Sequence, residues 1–121
     1  MRRLGKLALG LIGAAGLALA CNTPTIPIPP LRAPTYSSPS MDQWVASGTG
    51  APAGAEVFAI NRATGGGSVA RADSTGSYMT AAFGGRMGDT VELFYRATNG
   101  ELSESVCSQL SVGTPPLVPC P

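Results

Sequence analysis

The sequence contains no histidine, and its single lysine is Lys6. Without an imidazole there is no Ser-His or Cys-His catalytic pair and no imidazole ligand for a metal. Without a lysine after residue 6, the rest of the chain has neither a Schiff-base lysine nor a Ser-Lys pair. Carboxylate pairs are what is left for acid–base chemistry, and they hydrolyse glycosides when they lie roughly 5–10 Å apart.

The acidic residues that could form such a pair are few and scattered. Each has an ordinary interpretation as a turn residue or a solvated side chain, so we predict that the chain is not an enzyme and has no cofactor. Asp73 and Asp89 both fall on predicted turns and could meet to bind calcium, but two turn caps without a metal are the favoured interpretation. The candidate carboxylates are Asp73, Asp89, Glu92, Glu101 and Glu104.

The sequence also lacks a hydrophobic run of membrane-spanning length. The apolar run Leu7–Ala20 has 14 residues, fewer than the roughly 20 that a membrane span needs. It follows three basic residues and ends in Ala18-Leu19-Ala20, a cleavage site of the small-x-small type. Residues 1–20 are therefore predicted to be a signal peptide.

Cys21 directly follows this predicted cleavage site. Ala18-Leu19-Ala20-Cys21 resembles the lipobox of bacterial lipoproteins, although Ala18 stands where Leu is most common. The resemblance implies that Cys21 carries a diacylglycerol, often with a third acyl chain, and each buried methylene contributes ~0.8 kcal/mol to membrane binding. By the sorting rule of enteric bacteria, Asn22 implies the outer membrane. Ordinary secretion with a free Cys21 and an uncleaved anchor are the alternatives.

Charge of either sign is scarce after the predicted signal peptide. Three of the eight basic residues lie in residues 1–20, which leaves five basic against seven acidic residues, a net charge of −2. A surface that neutralises phosphates needs clustered Lys and Arg, so nucleic acid is not expected as a partner. The acidic excess is too small to indicate a basic ligand.

Proline is abundant in the segment that follows Cys21. Six of the 19 residues of Asn22–Ser40 are prolines, which remove backbone donors and fix φ. We therefore predict that residues 21–41 form a disordered, extended tether that holds the domain away from the membrane. A Pro-rich ligand for a partner's aromatic groove is the alternative.

From Asp42 to Pro121 the pattern changes to short runs of strand-forming residues between turn signals, and helical periodicity is absent. Asp73-Ser74-Thr75-Gly76 has the residue preferences of a type I turn. Asn99-Gly100 is typical of a two-residue hairpin, and Gly65-Gly66-Gly67 of a flexible hairpin tip. The predicted strands are Gln43–Ser47, Glu56–Asn61, Ser68–Ala72, Ser77–Phe83, Thr90–Thr98 and Leu102–Val112.

Alternation assigns faces to some of these strands. In Thr90–Thr98 one face is expected to lie in the core, which puts Phe94 among polar neighbours on the outer face. Glu56–Asn61 is apolar on both faces and is predicted to be central or covered. Trp44, the only tryptophan, is predicted to pack in the core. The expected core residues of Thr90–Thr98 are Val91, Leu93, Tyr95 and Ala97.

Five short motifs follow one another between Val45 and Ser103. They are Val45–Gly48, Pro52–Val57, Ala70–Tyr78, Gly88–Val91 and Asn99–Ser103. These motifs resemble bacterial Ig-like repeats, and the third is also similar to carboxypeptidase regulatory-like, transthyretin-type sandwiches. The resemblance implies a small Ig-like β-sandwich in residues 42–121, and it implies a role as a spacer, a stalk unit or a binder of carbohydrate or protein.

The sequence has three cysteines. If Cys21 is lipidated, Cys107 and Cys120 are left as a pair in an oxidising compartment, so we predict a disulfide between them. It would hold the Pro-rich tail along the last strand, with Leu117 and Val118 covering apolar surface or a sheet edge. An intermolecular bond and two free thiols are the alternatives.

These features predict a lipid-anchored protein of the cell envelope with a structural or binding role and no catalytic activity. The alternative is an accessory subunit or inhibitor that docks on an envelope enzyme or secretion complex. A continuous exposed apolar patch that includes Phe94 would favour docking, whereas a uniformly polar surface would favour a spacer.

Overall fold

The computed structural model describes residues 28–121, and this part of the chain is all-β. Two antiparallel sheets face each other and enclose one hydrophobic core, so the predicted β-sandwich is confirmed. In residues 28–121 no helix is long and apolar enough to cross a membrane. The strands are β1 (Thr35–Ser40), β2 (Gln43–Gly48), β3 (Glu56–Asn61), β4 (Gly67–Arg71), β5 (Tyr78–Met79), β6 (Phe83–Gly84), β7 (Thr90–Arg96), β8 (Val106–Gln109) and β9 (Leu117–Val118).

The strands divide into a four-stranded and a five-stranded sheet. In the four-stranded sheet β2 is flanked by β1 on one side and by β5 and β6 on the other. The five-stranded sheet has the order β4-β3-β7-β8-β9, so β3 and β7 are interior strands. The prediction that Glu56–Asn61 is central is therefore confirmed.

The core is built from alternate residues of the facing strands. Val91, Leu93 and Tyr95 of β7 are buried, as predicted, and Ala97 packs against them. Trp44 is also buried, which confirms its predicted place in the core. Complete burial of a Val or Leu side chain contributes about 1.5–3 kcal/mol each, and the core includes Tyr36, Trp44, Val57, Tyr78, Phe83, Val91, Leu93 and Leu110.

Three buried or partly buried hydrogen bonds join different elements of the fold. The hydroxyls of Tyr36 in β1 and Ser108 in β8 share one of them and so connect the two sheets. Asn61 at the end of β3 donates from Nδ2 to the carbonyl oxygen of Gly84 at 3.2 Å. The indole of Trp44 donates to the carbonyl oxygen of Gly85 at 2.9 Å. Buried polar groups need such partners, and the first two of these bonds limit how the two sheets can shift against each other.

The segment Thr35–Ser40, predicted as part of the tether, is strand β1. The expected start of the domain at Asp42 is therefore too late. Leu31, Pro34 and Tyr36 are among the largest fully buried side chains, so apolar burial outweighs the preference of a Pro-rich chain for an extended, solvated form. Proline is tolerated because β1 is an edge strand and Pro39 lies where its register with β2 shifts.

Two predicted strands are shorter than expected. Ser77–Phe83 is divided into β5 and β6, because the hydroxyl of Thr80 accepts the backbone N–H of Ala46 at 3.0 Å and interrupts the ladder with β2. Leu102–Val112 pairs continuously only over Val106–Gln109, although Leu102 forms an isolated bridge with Arg96.

The predicted turns at Asp73–Gly76 and Asn99-Gly100 are both present, the second with a different length. In Asp73–Gly76 the N–H of Gly76 donates to the Asp73 carbonyl at 3.1 Å, as a type I turn requires. Asn99-Gly100 lies in a hairpin closed by the N–H of Ala97 and the carbonyl of Glu101. The loop thus has three residues and not two, with Gly100 at φ 91°, a common solution for a three-residue hairpin.

The predicted disulfide between Cys107 and Cys120 is present. Beyond Val112 the chain returns along the sheet, and Leu117 and Val118 pair with β8 as the edge strand β9. The prediction for the tail is therefore confirmed. The predicted signal peptide, the lipidation of Cys21 and the tether up to residue 27 lie outside the described residues.

Candidate binding face

The outer face of the five-stranded sheet carries apolar side chains where a solvent-facing sheet ordinarily has polar ones. Phe58 and Ile60 in β3 and Phe94 in β7 are only partly buried, although their neighbours along each strand are fully buried. Val69 in β4 lies opposite Phe58 and is 51% exposed. We call these four residues, Val69, Phe58, Ile60 and Phe94, the aromatic face.

The centre of the aromatic face is a stacked pair of rings. Phe58 and Phe94 are direct partners across β3 and β7, and their ring centroids are 4.9 Å apart at an interplanar angle of 10°. The guanidinium carbon of Arg96 lies over the Phe58 ring, 5.6 Å from its centroid. Because each ring covers a face of the other, the pair is held in place but offers few free ring faces for stacking on a sugar.

Two ion pairs border the aromatic face along β3 and β7. Arg96 binds Glu56 at one end, with Nη2 2.8 Å from Oε1. Arg62 binds Glu92 at the other end, with Nη1 3.0 Å from Oε1. Such exposed pairs contribute about 0–1 kcal/mol to stability. An apolar centre with a charged border is the arrangement found in protein–protein interfaces.

Asp73, one of the predicted site residues, is a turn residue. Its Oδ1 accepts the hydroxyl of Thr75 at 2.7 Å and the backbone N–H groups of Thr75 and Ser77 at 2.9 and 3.0 Å. These hydrogen bonds, above all the one from the Thr75 side chain, lower the pKa of Asp73. The carboxylate is occupied in holding the turn between β4 and β5.

Asp89 has the corresponding role before β7. It accepts Nδ2 of Asn61 at 3.0 Å and the backbone N–H of Arg86 at 2.9 Å, and the bond from Asn61 is the main reason that its pKa is lowered. Asn61 lies at the end of β3, whereas Asp73 follows the strand that pairs with the start of β3. The two carboxylates are therefore at opposite ends of the sheet, and the alternative of a shared calcium site is wrong.

The remaining predicted carboxylates are not brought together either. Glu92 is bound by Arg62 and by the hydroxyl of Ser105 at 2.7 Å. Glu101 and Glu104 are exposed in the segment between β7 and β8. In residues 28–121 no three His, Cys, Asp or Glu side chains are grouped closely enough to hold a metal ion.

An open cleft of about 560 Å³ lies at the end of the sandwich that contains Asp89. Its walls come from the turns after β1, β3 and β6, which are distant in the sequence, so periodicity could not reveal it. Its residues are small or carry charges of both signs and indicate no single class of ligand. The lining is Asp42, Ala63, Thr64, Gly66, Gly84, Gly85, Arg86 and Asp89.

Comparison with known proteins gives no relative for this chain. No protein-family model matches the sequence, no curated protein matches it, and no solved structure matches its fold.

Proposed function

We propose that the chain is a lipid-anchored protein of the cell envelope whose Ig-like β-sandwich has a binding role and no catalytic role. The aromatic face is proposed to be the binding surface, and the partner is a protein with an apolar surface between charges of both signs. The observation that carries this proposal is the Phe58–Phe94 stack on an exposed sheet face. Contiguous apolar surface bordered by polar groups is typical of protein-binding sites.

Support for the lipid anchor comes from the cysteines. The sequence contains three, and the disulfide uses Cys107 and Cys120. Cys21 is then the one cysteine outside this disulfide, and it stands at the position that the lipobox resemblance assigns to the lipid. Asn22 favours the outer membrane as the location.

Support for a non-catalytic role comes from the carboxylates. Asp73 and Asp89 accept hydrogen bonds that hold turns, and Glu56 and Glu92 are bound by arginines on a sheet face. A general acid–base pair needs two such groups converging on a substrate site, and these four stabilise separate parts of the fold.

The binding role is tested by replacing the centre of the aromatic face in the full-length protein. We expect Phe94→Ser to abolish cross-linking of the protein to its partner in intact cells, because the apolar contact at the centre of the interface is lost. The matched control is Met79→Ser, since Met79 is 70% exposed but belongs to the other sheet. Equal cross-linking by both variants, with both folded, would reject the aromatic face as the binding surface.

A further inference from the structure

We propose that the partner of the aromatic face is a second copy of the same chain, related by a two-fold axis parallel to β3 and β7. This inference rests on the proposed function of the aromatic face as a binding surface. It goes further by naming the partner and the symmetry of the contact.

The register of β3 and β7 makes this face complementary to itself. Glu56 is the direct partner of Arg96, and Phe58 is the direct partner of Phe94. A two-fold axis between these strands places β7 of one copy over β3 of the other. Arg96 then faces Glu56 of the second copy, and the Phe94 ring faces Phe58 of the second copy.

The charges at the opposite end of the aromatic face are also complementary under this two-fold rotation. Arg62 just beyond β3 is paired with Glu92 on β7, so the same rotation brings Arg62 towards Glu92 of the second copy. No like charges are opposed at either end. Facing sheets keep their strand directions within about 30°, so the correspondence is closest at the Phe58–Phe94 stack in the middle of the face, with the charged pairs on either side of it.

The position of the chain entry favours this axis over one perpendicular to the strands. β1 begins at Thr35, and the chain before it runs back to Pro29, whose carbonyl oxygen accepts the hydroxyl of Tyr95 at 2.7 Å. With an axis parallel to the strands, the chain enters both copies at the same end of the dimer. Two proteins anchored in one membrane can then meet, whereas a perpendicular axis would put their entry points at opposite ends.

The size of the contact determines where association is measurable. The aromatic face and its two ion pairs amount to eight residues, whereas a standard interface uses roughly 20–30 residues on each side. Association of free domains is therefore expected to be weak. Confinement to one membrane raises the effective concentration and strengthens it without new contacts.

Charge reversal tests the proposal. The full-length protein is fused at its C-terminus to a donor or an acceptor fluorescent protein, and both fusions are reconstituted in vesicles of phosphatidylethanolamine and phosphatidylglycerol. We expect energy transfer between wild-type copies to exceed the random level at that surface density. For Glu56→Arg with itself, and for Arg96→Glu with itself, it should fall to the random level, because like charges then face each other.

The mixture of the two variants is decisive. When Glu56→Arg copies meet Arg96→Glu copies, every facing pair is again of opposite sign, so energy transfer should return to the wild-type level. Glu101→Arg makes the same charge change on an exposed residue outside the face, and it should behave as the wild type does. Thermal unfolding of each variant checks that the fold is retained.

Two outcomes would overturn the inference: a wild-type signal at the random level, or no recovery in the mixture. If the wild-type signal is random but Phe94→Ser still abolishes cross-linking to a different envelope protein, only the second-copy inference fails. If neither self-association nor any dependence on Phe94 is found, the proposed function fails as well.

Discussion

Two buried tyrosines differ in whether the side-chain hydroxyl has a hydrogen-bond partner. The hydroxyl of Tyr36 shares a hydrogen bond with Ser108, whereas the hydroxyl of Tyr78 is buried against Gly48 without a hydrogen-bond partner among residues 28–121. Burial raises the pKa of both to about 12, and the proximity of Tyr36 adds to the shift at Tyr78. A buried polar group that is left unpaired costs roughly 1–3 kcal/mol.

Replacing each tyrosine by phenylalanine should therefore have opposite effects. Tyr78→Phe removes an unpaired hydroxyl and is expected to raise the free energy of unfolding by up to about 1 kcal/mol. Tyr36→Phe leaves the Ser108 hydroxyl buried without this partner and is expected to lower it by about 1–2 kcal/mol. Urea denaturation of both variants measures the difference, and the reverse order of stability would contradict it.

The same tyrosines predict sensitivity to alkali. Because their folded pKa of about 12 lies above the ordinary value of 10.0, ionisation of these hydroxyls does not lower the free energy of unfolding below pH 10. The free energy of unfolding falls as the pH rises from 10 to about 12, since only the unfolded chain ionises there. The melting temperature should fall in this range, and less steeply in Tyr78→Phe. An equal slope in both proteins would show that Tyr78 does not contribute.

At the scale of elements, β1 shows how burial changes a domain boundary. The segment before Asp42 supplies Leu31, Pro34 and Tyr36 to the interior. A soluble chain that begins at Asp42 is therefore expected not to fold, whereas one that begins at Ile28 should give dispersed amide signals in a proton–nitrogen NMR spectrum. Well-dispersed signals from the shorter chain would contradict the inclusion of β1 in the domain.

The disulfide also acts at the scale of elements, because it joins β8 to the C-terminal tail. Cys107 and Cys120 are 13 residues apart, and the chain-entropy model gives such a loop about 3 kcal/mol. The double variant Cys107→Ala with Cys120→Ala should therefore melt at a lower temperature while keeping its β-type circular dichroism at room temperature. Reductant should lower the melting temperature of the Cys21→Ser protein but not of a chain that lacks all three cysteines. If the Cys107→Ala, Cys120→Ala variant melted at the wild-type temperature, β9 would stay paired with β8 without the disulfide.

The elements divide clearly into those that the sequence could predict and those that it could not. The strand Thr90–Arg96 can be predicted because apolar residues alternate along it, and the interior position of Glu56–Asn61 because both of its faces are apolar. The disulfide followed from the number of cysteines and the expected export. β1 is not predictable in this way, because the high proline content around it favours an extended tether although Leu31, Pro34 and Tyr36 are buried. The Phe58–Phe94 stack depends on the register between two strands with residues 62–89 between them, and no local pattern encodes that register.

At the scale of the whole molecule, the proposed lipid anchor would decide where the domain acts. We expect the purified membrane form to begin at Cys21 and to carry the mass of its acyl chains, because two or more chains bind a membrane stably. Cys21→Ser should move the protein to the soluble fraction, where immunoblotting of fractionated cells detects it. Intact-mass spectrometry that finds Cys21 unmodified, or a chain that still begins at Met1, would contradict the lipoprotein proposal.

The edge strand β1 also governs how the molecule carries a mechanical load. Residues 28–34 pack against the domain and lead into this strand, which lies antiparallel along β2. With the proposed lipid anchor, tension between the membrane and a partner bound at the aromatic face would be transmitted through β1 and would pull it lengthwise against β2. The backbone hydrogen bonds between β1 and β2 would then have to break together and not one after another. This Pro-containing edge strand would therefore resist mechanical unfolding of the domain.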